Sequence, residues 1–199
     1  MKLTFKKEYS GDESTLPQRT VPGAVQFREP SNIKMLSLFA NAIALIVTFL
    51  LLIPVWKLVG GLQGFFGNVV EAGSFLPVLV FFVAMILVLP VHEFLHASCF
   101  RGDVEFYTAL KKGLLFVIGT EDMTKARFVF MSLLPNLVFG VLPYLAFLLG
   151  LRSFWLGLFG AICIGSGGGD YINVFNCLTQ VPRGGLVFMS GMHSYWYKP

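Results

Sequence analysis

Four long stretches of this chain run almost without charge, and they constrain its fold more than any other feature. Leu36–Leu58 carries one late charge, Lys57, and Ala72–Val91 carries none before it runs into His92. Phe128–Leu151 is uncharged, and Ser153–Pro182 is uncharged except for Asp170. A bilayer core about 30 Å thick needs about 20 apolar residues of helix to cross it, and each stretch meets that length. Membrane β-strands are about ten residues long and alternate in polarity, which these stretches do not. Of the 199 residues, 55% are hydrophobic and only 13% are charged, against about 25% charged in a soluble domain. Such apolar content excludes disorder, and three scattered cysteines exclude a disulfide scaffold. A net charge of +4 is too mild for a nucleic-acid binder, and none is expected as a partner. The expectation is an all-α integral membrane protein with four transmembrane helices, at about 36–58, 72–100, 128–151 and 153–178.

Lysines and arginines in short loops set orientation. Thirteen lie before the first span, between spans two and three, or in the tail; two, Lys57 and Arg152, lie on the other side. Both termini are therefore expected in the cytoplasm. The chain reads as a cytoplasmic N-terminal arm (1–35, with Pro17, Pro22 and Pro30), a four-span membrane domain (36–182) and a cytoplasmic interfacial tail (183–199) ending in Tyr195-Trp196-Tyr197-Lys198. The first apolar run begins too late for a secretory signal, so the first span is expected to stay in the membrane. In the loop after span two, Asp103–Leu110 and Leu114–Ile118 are strand-like runs around Lys111-Lys112-Gly113, which predicts a small cytoplasmic β-hairpin.

The second span ends in His92-Glu93-Phe94-Leu95-His96, an H-E-x-x-H pattern on a predicted helix. Residues four apart share a helix face, so two imidazoles can bind one zinc ion. Glu93, about 100° around the helix from His92, can reach a zinc-activated water and act as the base. The bland alternative is a cluster of hydrogen-bonded polar residues at the membrane interface. Haem does not fit, because two histidines on one face of one helix cannot flank the same iron. Pro90, just before the motif, removes one backbone hydrogen bond and can open the helix there, though proline is also common in membrane helices.

A catalytic zinc usually has three protein ligands. Asp170 is the one ionisable side chain in the fourth stretch, and an intramembrane acid points to function by default. It follows Gly165-Ser166-Gly167-Gly168-Gly169, small residues that permit close helix packing or a broken helix. A plain packing face with a hydrogen-bonded Asp170 is the alternative. Asn136 and Asn173 read as interhelical hydrogen-bonders that could also orient a ligand. His193 reads as a surface histidine, and Cys99, Cys163 and Cys177 read as small apolar residues.

These residues together resemble the zincin peptidase family of bacterial membranes and, more distantly, the site-2 protease group of intramembrane metalloproteases. The motif His92–His96, Leu134-Pro135-Asn136 in the next span, and Asp170 after a glycine-rich run carry the resemblance, which extends from about residue 17 to the C-terminal Tyr-Trp-Tyr-Lys-Pro. It implies zinc bound by His92 and His96 with Asp170 as third ligand, and Glu93 as catalytic base. Site-2 proteases place the aspartate in a Leu-Asp-Gly context, whereas here it stands in Gly169-Asp170-Tyr171. The expected function is an intramembrane zinc metallopeptidase in a bacterial plasma membrane. It would act on transmembrane or membrane-associated proteins, with the lipid bilayer as its other partner. The alternatives are a zinc-binding membrane protein without protease activity: a metal transporter or sensor, or a scaffold.

Overall fold

The structure is a computed structural model and describes residues 2–6, 8–28, 33–67, 75–109 and 114–199. The chain divides into two compact units, one of residues 1–30, 89–134 and 170–199, the other of 31–88 and 135–169. The helices are α1 (Ile33–Leu58), α2 (Gly61–Phe66), α3 (Leu76–Ser98), α4 (Lys125–Pro135), α5 (Leu142–Leu148), α6 (Phe154–Ser166) and α7 (Gly168–Gln180). A π-helical turn, Asn136–Val141, joins α4 to α5.

The first unit holds two sheets. β1 (Leu3–Phe5) runs parallel to β3 (Val104–Ala109), which pairs antiparallel with β4 (Leu114–Ile118). The second sheet has the order β2-β7-β6-β5, built from β2 (Val25–Gln26), β5 (Met123–Thr124), β6 (Leu186–Ser190) and β7 (His193–Tyr197), all antiparallel. β3 is rich in aromatic and β-branched residues, which suit a half-buried pleated surface, and it buries Val104 and Phe106. The two-residue turn between β6 and β7 begins at Gly191, whose φ of 58° suits the first central position of a tight hairpin turn. The core of this unit gathers Phe27, Phe100, Val104, Phe106, Phe128 and Val187 from arm, loop, α4 and tail. Arg19 ties the arm down, donating to the Thr120 carbonyl at 2.6 Å and to Asp122 at 2.8 Å, with its guanidinium over the Phe188 ring.

The expectation of an all-α chain with four spans is corrected here. Two sheets exclude an all-α class. β3 and β4 form the expected antiparallel pair; the other strands escaped a reading of local hydrophobic runs because they are short and pair across long sequence separations, as β1 does with β3 and β2 with β7. The fourth stretch is no single span either. Gly167 breaks it into α6 and α7, each 13 residues long, and a helix of that length covers only about 20 Å. Three helices among the described residues are long and apolar enough to cross a membrane: Leu38–Leu58, Leu76–Ser98 and Lys125–Leu148. The Lys111-Lys112-Gly113 turn lies outside the described residues.

The second unit is helical. Its outward face is apolar, with Leu45 and Phe49 of α1 and Ile86 of α3 each at least two-thirds exposed. That surface is costly in water and neutral in lipid, and it marks a membrane protein. Inside, glycines let α6 approach its neighbours. A Cβ at Gly165 would sit 1.9 Å from Thr48 Oγ1 and 2.7 Å from the Ala44 carbonyl oxygen, and one at Gly160 would sit 2.7 Å from the Tyr144 backbone nitrogen. The Tyr144 hydroxyl donates to the Leu51 carbonyl at 2.7 Å, joining α5 to α1.

The Thr48 side chain can rotate away from an added methyl at Gly165, but the Ala44 carbonyl cannot move without shifting α1. Gly165→Ala is therefore expected to destabilise the protein in detergent by about 1–3 kcal/mol. Gly169→Ala, where an added Cβ meets nothing within 4 Å, should leave the melting temperature within error. Equal melting of the two variants would contradict this packing.

Candidate metal centre

The last two turns of α3 carry His92, Glu93 and His96, and the helical repeat places both imidazoles on one side. Their Nε2 atoms are 3.0 Å apart and the rings stand nearly perpendicular at 78°. Asp170, in the first turn of α7, meets both: Oδ1 lies 3.3 Å from His96 Nε2, and Oδ2 lies 3.5 Å from His92 Nε2. All four residues belong to the first unit. Candidate ligand atoms of His92, Glu93 and His96 lie within 4.8 Å of one another. The backbone amide of Val117 on β4 lies close to the Glu93 carboxylate.

A backbone partner fixes the protonation of His96. Its Nδ1 is 2.9 Å from the carbonyl oxygen of Met131 on α4, and a carbonyl can only accept, so Nδ1 carries the proton. In the neutral ring, Nε2 is then a bare lone pair aimed at a second imidazole nitrogen and a carboxylate oxygen. Acceptors so placed repel one another unless a cation, either a proton or a metal ion, stands among them. The spacing suits a metal. Tetrahedral zinc with bonds of about 2.0–2.1 Å has ligand–ligand edges of about 3.3 Å, and the three observed separations are 3.0, 3.3 and 3.5 Å. The position of Asp170 near the start of α7 adds a favourable dipole to its negative charge.

Polar contacts within the same unit hold the end of α3 in place. Arg127 of α4 donates to the Cys99 carbonyl through Nε at 2.9 Å and Nη2 at 2.6 Å, just past the last helical turn. The same guanidinium pairs with Glu121, which also accepts from the Arg101 amide at 2.9 Å and from the Gly102 amide. At the far end of α7, Lys125 Nζ donates to the Leu178 and Val181 carbonyls, both at 2.8 Å, and so caps that helix.

In the second unit, the Asn136 amide occupies the space a side chain at Gly167 would need, with Oδ1 2.3 Å from where that Cβ would be. It thus packs at the break that precedes α7. Asn173 is half-buried on α7, and His193 lies 3.9 Å from Glu13 in the hairpin region. Cys163 and Cys177 are buried, and Cys99 is half-buried with its thiol 3.6 Å from the Leu95 carbonyl. The Met131 carbonyl and the Val117 amide were missed by sequence reasoning. Both are main-chain groups, and no residue type signals them.

Residues 85–186 match the model of the family described as "Putative zincin peptidase". The chain belongs to this family. The match spans the H-E-x-x-H motif and Asp170, and membership implies zinc as the metal and metallopeptidase chemistry. No curated protein and no solved structure matches the chain.

Glu121 gives this scaffold a pH dependence. Burial pushes its pKa upward, but the Arg101 and Gly102 amides and the Arg127 charge outweigh that and hold it below the ordinary value of 4.5. A carboxylate whose pKa is lowered by folding contributes stability above its unfolded pKa and loses it as pH falls through the folded value. Thermal stability should therefore fall as the pH drops below about 4.5, and it should fall less steeply in Glu121→Gln. Parallel acid profiles for the two proteins would remove Glu121 from this role.

Proposed function

We propose that this chain is a multi-pass intramembrane zinc metallopeptidase of the site-2 protease kind, in a bacterial plasma membrane. Its substrates are transmembrane or membrane-associated proteins. One observation carries the reading: two imidazoles and a carboxylate converge at zinc-ligand spacing, with a glutamate one residue from the first imidazole.

His92, His96 and Asp170 would hold the zinc. Three protein ligands match the count in catalytic rather than closed structural sites. Bound there, zinc polarises a peptide carbonyl and acidifies water. The chain's own groups supply the rest. The Met131 carbonyl keeps the His96 ring oriented and its Nε2 free to ligate. Glu93 takes a proton from the attacking water as the new C–O bond forms, then delivers it to the amine as the C–N bond breaks. The products are one carboxylate and one amine, and Glu93 is restored.

The surroundings of Glu93 favour a peptide as substrate. β4 is the edge strand of its sheet, and its Val117 amide lies close to Glu93. An extended segment adding to that edge would pair main chain to main chain and pass beside the base. A helical substrate must unwind first, because its carbonyls are already hydrogen-bonded. A transporter would need ligand groups at successive depths. Among the described residues a single His/Cys/Asp/Glu cluster has metal-ligand spacing.

Detergent-purified protein should contain about one zinc per chain, by analogy with a three-ligand site, and His96→Ala and Asp170→Ala should each lose it. Glu93→Gln should keep the zinc while hydrolysis of a transmembrane-peptide library, read by mass spectrometry, falls by about 10²–10⁴-fold. Undiminished cleavage by Glu93→Gln would remove it as the base. Zinc retained in Asp170→Ala would remove the third ligand.

A further inference from the structure

The second unit carries a long apolar groove with a cationic end. An open cavity of about 420 Å³ lies among Phe49, Leu52, Trp56 and Lys57 of α1, Phe65 of α2 and Phe154 of α6. A second, of about 490 Å³, shares Phe49 and Leu52 and continues along α1 to Leu45. From Leu45 to Lys57 the groove follows about 18 Å of helix, at 1.5 Å per residue. Each volume is in the range of ligand sites, about 300–1,000 Å³. The shape is not that of a compact metabolite site: the groove is elongated, open along its side, and walled almost wholly by apolar groups.

The one charged residue in its lining stands at one end. Lys57 lines the cavity from the last turn of α1 and is exposed. Arg152 stands two residues before Phe154, with its guanidinium 5.8 Å from the centre of the Phe147 ring. Phe147 packs in the same cluster as Val55, which also lines the cavity. The sole acidic residue in the sequence of this unit, Glu71, lies outside the described residues. Among the described residues neither cation has a carboxylate partner. Trp56 adds an amphipathic ring to the same lining as Lys57, as aromatic residues do at headgroup level.

We propose that this groove binds one anionic phospholipid, with its phosphate held by Lys57 and Arg152 and one acyl chain lying along α1 toward Leu45. The two parts of the site match the two parts of that molecule. The apolar wall accepts any acyl chain, and it gives affinity without headgroup choice. Two cations without a described counter-carboxylate favour a headgroup of net negative charge over a zwitterion, whose own ammonium would lie against them. A polar small molecule would leave the apolar length unused. A fatty chain without a headgroup would leave the cations unused. The site shares no residue with the metal centre, and the inference does not depend on the peptidase reading.

The test uses the full chain in nanodiscs of equal phosphatidylglycerol and phosphatidylcholine, released into native mass spectrometry so that retained lipids are counted. Wild type should retain one phosphatidylglycerol with several-fold enrichment over phosphatidylcholine. Lys57→Ala with Arg152→Ala should bring the ratio to parity, and the conservative pair Lys57→Arg with Arg152→Lys should keep it. Arg183→Ala, an exposed charge in the other unit, should also keep it. Parity in wild type overturns the proposal whatever the variants do. So does enrichment that survives the alanine pair, or enrichment lost equally with Arg183→Ala, which would mean general charge attraction. A dimer without bound lipid in the same spectra would overturn it in favour of a second copy covering the groove.

Discussion

One hydrogen bond sets the chemistry of this protein. The Met131 carbonyl accepts from His96 Nδ1 and so decides which ring nitrogen is bare. That choice turns Nε2 toward His92 and Asp170, so that the three present nitrogen and oxygen atoms at a spacing that suits a metal ion. The bond depends in turn on α4 lying beside the end of α3. Arg127 secures that relation by reaching from α4 to the Cys99 carbonyl. Buried acceptors that face one another are costly when left uncompensated, so the polar scaffold and the centre it supports stand or fall together.

The first unit meets that demand with main-chain pairing drawn from distant parts of the sequence. The arm, the loop after α3 and the tail each supply strands, and their side chains share one core with α3, α4 and α7. Glu121 concentrates three donors on one carboxylate in the loop between β4 and β5. The second unit follows different physics. Its helices approach through glycines and bury few polar groups, and its outward surface is apolar. The lipid groove proposed for α1 fits that character, since it is a lipid-facing surface with charge at one end only.

Much of the candidate metal centre was legible because the motif is local. Four-residue spacing on a helix fixes the relation of His92 to His96 with no help from the fold. Asp170 could be nominated because an acid in an apolar stretch is costly unless it has a use. Its meeting with both histidines could not be read from sequence, for it depends on the break at Gly167 and the start of a new helix two residues before the aspartate. That break also undid the fourth span. A count of apolar residues cannot distinguish one long helix from two short ones joined at a glycine.

By itself, the sequence determined the apolar stretches, the H-E-x-x-H pair and the β-prone runs after α3, because helical and strand periodicities are properties of neighbouring residues. Tertiary structure alone decided that the arm and tail become strands, that α7 begins where it does, and that main-chain groups of Met131 and Val117 serve the centre. The physical reason is that every backbone carries the same donors and acceptors. Which of them meet is set by how distant segments pack, not by the identity of the residues that own them.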